Sequence, residues 1–160
     1  LFQYASNPEV GPIAGWPVHT SVENSREIIK SYLSAPETYA IVLKETMQPV
    51  GSIGLMIGSA SDKGIPDTEA EIGYWIGVPY WGQGLIPEAV REMMRHGFDD
   101  LNLEKMWFGY FDGNTKSQRV QEKCGFRYRH TKENVPCAWE GVLRTEHVTC
   151  LSKEEWISFK

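Results

Sequence analysis

The sequence predicts one mixed α/β domain in which helices pack against a central sheet. Three observations support this fold class. The length of 160 residues fits a single domain. Hydrophobic residues make up 41% of the chain, which is enough for a packed core. The hydrophobic period changes along the chain in the order strands, helix, strand, helix, strands. No repeat or long linker interrupts this order, so residues 1–160 are expected to form one domain.

The first part of the chain is predicted to be helical and rich in turns. Residues 1–6 resemble the end of a helix, and residues 11–19 are rich in Gly and Pro. The run Thr20-Ser21-Val22-Glu23 matches a capping box. It predicts a helix that stops before Pro36.

Three strands follow, predicted over residues 39–43, 50–57 and 69–78 from their β-branched and aromatic residues. Over residues 85–101 apolar side chains recur at steps of three and four, with charged side chains between them. This spacing predicts an amphipathic helix.

The remaining elements are short. Residues 106–111 predict a further strand. Thr115-x-x-Gln118 is a second capping box, and it opens a helix that Gly125 ends. Residues 126–131 and 142–151 predict the last two strands.

Composition excludes several classes of function. The formal net charge of −5 argues against general nucleic-acid binding. No apolar run is long enough to cross a bilayer, and no leader opens the chain, so a cytoplasmic location is expected. The three cysteines lack C-x-x-C spacing and the four histidines are scattered, so neither a disulfide framework nor a metal site is predicted.

The most informative segment is a buried strand that enters a glycine turn and then a helix, over residues 71–89. Such a junction exposes the first amide groups of the helix to an anion such as a diphosphate. Gly82 and Gly84 allow a close approach of the backbone, and Pro87 fits the first helical turn. A Walker loop is excluded because Leu85-Ile86 follows Gly84. A dinucleotide fingerprint is excluded because Pro87 replaces its third glycine.

The sequence resembles the GCN5-related N-acetyltransferase (GNAT) superfamily, and within it the ribosomal-protein N-terminal acetyltransferases of the RimJ/RimL type. Three motifs carry the resemblance, in the order and spacing of the family: Glu71-Ile72-Gly73-Tyr74-Trp75-Ile76, then Trp81-Gly82-Gln83-Gly84 with Glu88-Ala89, then Asn114-x-x-Ser117-x-x-Val120-x-x-Lys123-x-Gly125-Phe126. The resemblance implies a twisted, mostly antiparallel sheet with helices on both faces. It also implies a splayed pair of strands that binds acetyl-CoA.

The resemblance further implies which residues bind acetyl-CoA. Pantetheine contacts are expected from Ile76, Gly77 and Val78. Pyrophosphate contacts are expected from Trp81, Gly82, Gln83, Gly84, Leu85 and Ile86. Asn114 is expected to bond the pantetheine or adenosine side, and Ser117 to lie near the thioester sulfur. Lys116 is either a phosphate contact or a solvated surface lysine.

Two departures from the family pattern are visible. Its phosphate turn usually begins with Gln or Arg, whereas Pro79 stands here, so one side-chain contact to phosphate is lost. The family also begins with a strand and a full first helix, whereas this chain opens partway into that helix. Its N-terminal strand is therefore expected either to lie outside the given sequence or to be missing from one edge of the sheet.

The implied reaction is direct attack of a neutral amine on the acetyl thioester, with backbone amides near residues 76–78 stabilising the oxyanion. Glu71 is the first candidate for the general base, and it could equally hold the sheet or a loop. Glu140 is a second, weaker candidate. Ser117 could protonate the leaving sulfur or could bond the backbone of its own helix. Cys124 is expected to be a packed thiol.

Three functions remain open from the sequence. The first is acetylation of a protein or peptide N-terminal α-amine. The second is acetylation of a small amine such as a polyamine, an amino sugar or an aminoglycoside. The third is a non-catalytic module that binds acyl-CoA. The expected partners are acetyl-CoA and an amine acceptor, without nucleic acid or membrane, in a monomer or homodimer.

Overall fold

A computed structural model describes residues 1–139 and 141–159. The described residues form one six-stranded sheet with the order β1-β2-β3-β4-β6-β5. The strands are β1 Thr38–Val42, β2 Pro49–Ile57, β3 Glu69–Ile76, β4 Lys105–Phe111, β5 Arg127–Pro136 and β6 Leu143–Ser152. The helices are α1 Phe2–Ala5, α2 Gly11–Ala14, α3 Val22–Ile28, α4 Leu85–Arg95, α5 Thr115–Lys123 and α6 Lys153–Phe159. Wider π turns, Ile29–Leu33 and His96–Asp100, continue α3 and α4.

The central strands β3 and β4 are parallel, whereas every other pair of neighbours in the sheet is antiparallel. The parallel pairing runs only from Glu69 opposite Lys105 to Ile72 opposite Phe108. Beyond that point, residues 73–76 of β3 and residues 109–111 of β4 are not paired with each other. We call the gap between these two segments the slot, and its closed end at Ile72 and Phe108 the vertex.

One face of the sheet carries the main core, and we call it the helical face. Side chains alternate along a strand, so Ile72, Tyr74 and Ile76 share this face of β3. They pack with the apolar sides of α4 and α5 in one cluster, to which Phe98 and Trp156 add a stacked pair with ring centres 5.1 Å apart. This packing fixes the start of α4 directly beyond the end of β3.

The N-terminal segment covers the opposite face, which we call the N-terminal face. Glu71, Gly73 and Trp75 lie there on β3, and the rings of Trp16 and Trp75 are 6.3 Å apart. The Arg144 guanidinium on β6 donates a hydrogen bond to the carbonyl of Pro12 at 2.7 Å. The loop after β5 is also tied to this segment, because the amide of Ala138 donates to a carbonyl of the turn after α2.

Every predicted strand is present, with shifted ends. The third strand ends at Ile76 instead of residue 78, because Val78–Tyr80 forms a 3-10 turn. The fifth strand continues to Pro136. The helix predicted over residues 85–101 is α4 together with its π turn.

The helix caps differ from those that the capping boxes indicated. Ser21 caps α3, in place of Thr20, and its Oγ accepts the amide of Asn24 at 3.0 Å. Asn114 caps α5, in place of Thr115. In both cases a second capping residue stands next to the predicted one, and local sequence does not rank two such neighbours.

Two helices were missed. The turn-rich stretch over residues 11–19 contains α2, a single helical turn. The C-terminal α6 follows β6 directly, and Ser152 with Glu155 forms a reciprocal capping box: the amide of Glu155 donates to Ser152 Oγ at 3.2 Å, and the amide of Ser152 to Glu155 Oε2 at 2.9 Å. The S-x-x-E spacing was a usable signal for this helix.

Among the described residues, no helix combines the length and apolar character needed to span a membrane. Cys124, Cys137 and Cys150 are all free thiols. Cys124 is buried, as the sequence predicted, and burial raises the pKa of its thiol. A protonated, packed thiol is a poor nucleophile.

Candidate active site

The turn between β3 and α4 is built by two glycines in the left-handed region. Gly82 has φ = 72° and Gly84 has φ = 77°. A β carbon at either position would meet no atom within 4 Å. Glycine is therefore required here by backbone conformation and not by crowding, and the surface of the turn is open to a ligand.

The α4 N-terminus that follows this turn is available to an anion. Gly84 is the N-cap residue and offers no side-chain cap. The first amides of a helix have no partner within the helix, and the helix dipole adds partial positive charge there. Leu85 and Ile86 supply such amides, and Pro87 has none to leave unsatisfied. These backbone donors suit a diphosphate.

Side chains hold the turn in place and bring a cation to it. The indole Nε1 of Trp81 donates to the carbonyl of Ile76 at 3.1 Å, and Gln83 Nε2 donates to the carbonyl of Pro79 at 3.0 Å. The ammonium of Lys116, at the start of α5, lies 3.3 Å from the ring centre of Trp81. The two helix starts therefore meet at Trp81, with a positive charge between them.

The β3 side of the slot offers a limited set of backbone donors. Gly77 donates its amide to the carbonyl of Val50 at 2.9 Å, and its own carbonyl accepts the amide of Tyr80 at 3.0 Å. Both polar backbone groups of Gly77 are thus engaged. Because backbone groups alternate in direction along a strand, the amides of Tyr74 and Ile76 point toward the slot. The carbonyl of Val78 accepts the amide of Trp81 at 3.1 Å, which leaves Val78 its amide and side chain.

The start of α5 brings Asn114 and Ser117 to the helical face. The Asn114 side-chain oxygen accepts the amide of Ser117 at 3.2 Å, so its NH₂ group remains to donate. Ser117 is buried, and its Oγ accepts Gln121 Nε2 at 3.2 Å, from a side chain one turn further along its own helix. Burial raises the pKa of Tyr74, and an interaction with the Ser117 side chain partly counters this. Two protonated hydroxyls thus lie together beside the slot.

Gln121 is a residue that the sequence analysis missed. Its side chain is fully buried, and it joins α5 to two strands. Nε2 also donates to the carbonyl of Gly109 at 3.3 Å, and Oε1 accepts Thr149 Oγ1 at 2.7 Å. Gly109 is the first residue of β4 beyond the vertex. A polar residue on a short amphipathic helix gives no local sign that it will be buried.

Glu71 lies on the N-terminal face, in a buried ionic cluster with Lys63 and Glu146. Lys63 Nζ is 3.0 Å from Glu71 Oε1 and 2.7 Å from Glu146 Oε1. The hydroxyl of Ser61 donates to Glu71 Oε2 at 2.5 Å. Both oxygens of Glu71 are therefore engaged. Lys63 and Glu146 were also missed by the sequence analysis, because they join a loop and a strand that are distant along the chain.

The cluster shifts the pKa of Glu71 and the pKa of Lys63. Burial raises the pKa of Glu71, and Lys63 and Ser61 counter part of that rise. Burial acts to lower the pKa of Lys63, but the two carboxylates outweigh it and leave this pKa above its ordinary value. Lys63 is therefore charged at neutral pH.

The candidate residues fall into two groups on opposite faces of the sheet. The glycine turn, Asn114 and Ser117 lie at the helical face, where the starts of α4 and α5 flank the slot. Glu71 lies near the vertex on the N-terminal face. Glu140, the second candidate base, lies outside the described residues.

Comparisons with known proteins agree with this architecture. Residues 1–127 match the family model described as an acetyltransferase (GNAT) domain. The N-acetyltransferase p20 of Bacillus licheniformis, described as uncharacterized, is 31% identical over 133 residues, which cover 79% of this chain and 71% of that protein.

Solved structures share the fold. A GNAT-family acetyltransferase from Bacillus anthracis superposes with a TM-score of 0.82 at 22% identity, over 97% of this chain and 88% of the other. The ribosomal-protein-S5-alanine acetyltransferase of Vibrio fischeri gives 0.70 at 20% identity, over 97% and 87%. A mutant of the spermidine N-acetyltransferase SpeG from Vibrio cholerae gives 0.66 at 14% identity, over 87% and 79%.

The family match extends through the splayed strands, the glycine turn and α5, which are the elements that build the site described above. The chain therefore belongs to the GNAT acetyltransferase family and is an acetyl-CoA-dependent N-acetyltransferase that transfers an acetyl group to an amine.

Proposed function

We propose that this enzyme, as one domain over residues 1–160, acetylates the terminal α-amine of a protein or peptide. The observation that carries the proposal is the engagement of both Glu71 oxygens by Lys63 and Ser61. A carboxyl group is far more acidic than an alkylammonium group even when burial raises its pKa, and both oxygens of Glu71 are already engaged, so this carboxylate is a weak base toward an amine. It therefore suits an amine that loses its proton easily.

Acetyl-CoA is proposed to bind in the slot from its open end, opposite the vertex, where the glycine turn lies. The amides of Gly84, Leu85 and Ile86 hold the diphosphate, and the ammonium of Lys116 adds a positive charge beside Trp81. The pantetheine arm lies along residues 73–78 of β3. The contacts expected from Gly77 become van der Waals contacts, because both of its backbone polar groups are engaged.

The direction of the arm follows from the strand. From Ile76 back to Ile72 the strand spans about 13 Å, and the slot narrows along that length toward the vertex. The thioester carried by the arm is thus directed to the vertex. Tyr74 and Ser117 lie on one side of it, and Glu71 lies on the other.

The chemistry proposed for these residues is a direct transfer. Glu71 accepts, through a water molecule, the proton that the amine loses as its C–N bond to the acetyl carbon forms. The oxyanion is stabilised by the amide of Tyr74, which of the two amides that face the slot is the nearer to the vertex, in place of the amides near residues 76–78 that the sequence indicated. As the C–S bond breaks, Ser117 or Tyr74 gives a proton to the thiolate sulfur, and solvent restores that hydroxyl.

The weak base decides the class of amine. An α-amine with a pKa near 7.7–8.0 costs roughly 1 kcal/mol to deprotonate at pH 7, whereas a lysine-like amine near 10.4 costs about 4.6 kcal/mol. On the N-terminal face, Glu71 and Glu146 share the buried ammonium of Lys63, and Arg144 on β6, which bonds the carbonyl of Pro12, adds a second cation. These cations disfavour a polyamine, because its several positive charges would meet them.

The proposal is tested by following free thiol from acetyl-CoA with matched acceptors. One peptide carries a free α-amine and no lysine, and its partner is the same peptide blocked at the N-terminus with one internal lysine. Spermidine and an aminoglycoside complete the panel. Turnover with the first peptide alone is the expected result.

Other outcomes separate the alternatives. Turnover with spermidine or the aminoglycoside alone would replace the proposal with small-amine acetylation. Saturable CoA binding without thiol release from any acceptor would indicate a non-catalytic module. The Glu71→Gln variant, measured in parallel, is expected to lose at least tenfold in kcat/KM while retaining CoA binding.

A further inference from the structure

The loop between β2 and β3 contributes a buried lysine to the N-terminal face. The side chain of Lys63 is 3% exposed, and two carboxylates on different strands accept its ammonium. Lysine is rarely buried unless it is paired, because desolvation of its charge is costly. The loop therefore places a cation between β3 and β6, across β4.

Gly109 shows where this cation lies relative to the slot. A β carbon at Gly109 would overlap Oε1 of Glu146 and would lie 3.2 Å from Lys63 Nζ. Gly109 is the first residue of β4 that is no longer paired with β3. Lys63 and its two carboxylates thus lie over the vertex, on the face opposite Ser117.

The charged surroundings of Lys63 come from several elements. Asp62 in its own loop is 3.8 Å away and exposed, and Glu71 and Glu146 are the close partners. A small cavity of about 210 Å³ beside Lys63 is lined in part by further titratable side chains, namely Glu69, His130 and Lys132. Glu69 is itself bonded to Trp107 Nε1 and paired with Lys105. The direct control over Glu71 therefore belongs to Lys63.

We propose that Lys63 is a positioning residue for acetyl transfer, which keeps the carboxylate of Glu71 ionised and fixed at the vertex of the slot. This inference rests on the proposed function, in which Glu71 accepts the proton of the amine. Lys63 does not touch the reacting atoms; it acts through Glu71.

Removing Lys63 and removing the charge of Glu146 should shift the pKa of Glu71 in opposite directions. Without the ammonium, Glu71 would keep its burial and lose its main counter-charge, so its carboxylate would ionise only at higher pH. Without the charge of Glu146, the ammonium of Lys63 would no longer be shared between two close carboxylates and would stabilise the charge of Glu71 more strongly. The pKa of Glu71 would therefore fall, and Glu71 would ionise at lower pH. A purely structural role predicts no such pair of opposite shifts.

The test compares kcat/KM from pH 5 to 9 for the wild type, Lys63→Met and Glu146→Gln, with one α-amine peptide. The kcat/KM of each variant is divided by that of the wild type at the same pH. This ratio cancels the effect of substrate ionisation. For Lys63→Met the ratio should fall about tenfold for each unit by which the pKa of Glu71 rises, and recover at high pH. For Glu146→Gln the ratio should rise as pH falls. Lys105→Met is the control, because Lys105 is exposed and pairs with Glu69 on β3, the strand that also carries Glu71. Its ratio should not change with pH.

A second measurement does not depend on turnover. The carboxyl ¹³C resonance of Glu71, assigned by its loss in Glu71→Gln, is titrated in each variant. The midpoint should move up in Lys63→Met and down in Glu146→Gln. If Lys63→Met does not fold, Glu146→Gln still supplies one of the two shifts.

The outcomes distinguish the two proposals. Ratios that are flat with pH, together with an unchanged Glu71 midpoint, would overturn the role of Lys63. Shifted midpoints in a protein that acetylates no peptide would overturn the proposed function and leave the control of Glu71 by Lys63 in place.

Discussion

The α carbon of Gly109 lies directly beneath the carboxylate of Glu146, so that a β carbon there would overlap Oε1. The same glycine accepts a hydrogen bond from Gln121 on the other face of the sheet. One small residue thus connects the hydroxyls of the helical face with the carboxylates of the N-terminal face, at the point where the two central strands separate.

Gly109→Ala is expected to displace Glu146 from Lys63 and to destabilise the protein by about 1–3 kcal/mol, because the added methyl group has no room. Urea unfolding measures the effect. Gly73→Ala is the matched control for stability. Gly73 lies in β3, and its β carbon would point to the same face of the sheet as that of Gly109, where it would meet only the flexible end of Met56 at 3.3 Å. An equal loss in both variants would contradict the crowding seen at Gly109.

Gly84→Val is expected to weaken CoA binding at least tenfold, because valine at φ = 77° disturbs the first amides of α4. Calorimetry measures the affinity. Gly64→Val carries the same strain at φ = 66°, also with no neighbour within 4 Å, and it lies away from the turn. If both variants bound CoA as the wild type does, the α4 N-terminus would not be the diphosphate site.

Asn114 is expected to have two separable roles. Asn114→Ala removes the cap of α5 and should cost about 1 kcal/mol of stability together with CoA affinity. Asn114→Asp keeps an oxygen for the amide of Ser117, but it loses the NH₂ donor and adds a negative charge. It should therefore retain stability and lose affinity. Thermal unfolding and calorimetry on both variants measure the two effects. If Asn114→Asp lost affinity only in proportion to a loss of stability, as Asn114→Ala does, a ligand contact by the side-chain amide would be ruled out.

His96 is expected to make stability depend on pH. Its ring nitrogens lie 2.8 Å from Glu37 Oε2 and 2.9 Å from Asp100 Oδ2, and hydrogen bonds to Asp100 and Glu37 raise its pKa. A raised folded-state pKa gives stabilisation that is complete below the unfolded value of 6.5 and is lost as pH rises through the folded value.

Asp100, the carboxylate partner of His96, makes stability depend on pH in the acidic range. Arg95 and His96 lower the pKa of Asp100 to about 2, so its contribution is present above its ordinary value of 3.8 and is lost as pH falls toward 2. The network should thus stabilise most between about pH 4 and 6.5. Melting temperatures at pH 6 and 8.5 test this, and His96→Gln should show a smaller difference between them than the wild type. Equal differences would show that this histidine is not responsible.

Local sequence determined most of the fold and one half of the site. The alternation in β3, the two glycines and the three- and four-residue period of α4 are properties of consecutive residues, so the strand, turn and helix were predictable without tertiary contacts. Their order along the chain predicted a mixed α/β domain, and the resemblance to the acetyltransferase superfamily implied the splayed pair of strands. Local sequence could not predict which of two neighbouring residues caps a helix, because both members of each pair are capping residues. The pairs are Thr20 with Ser21 and Asn114 with Thr115.

Only the tertiary structure decided the other half. Lys63, Glu71 and Glu146 come from a loop and two strands, and their shared burial depends on how β3, β4 and β6 line up in the sheet. Glu71 was predicted as a candidate base, but the sequence could not show that Lys63 and Ser61 occupy both of its oxygens. The sequence by itself predicted an anion-binding turn, since backbone conformation is encoded locally, and its resemblance to the acetyltransferase superfamily predicted acetyl-CoA as the ligand. The pKa of Glu71 was settled by folding, because desolvation and charge pairing arise only when distant residues meet.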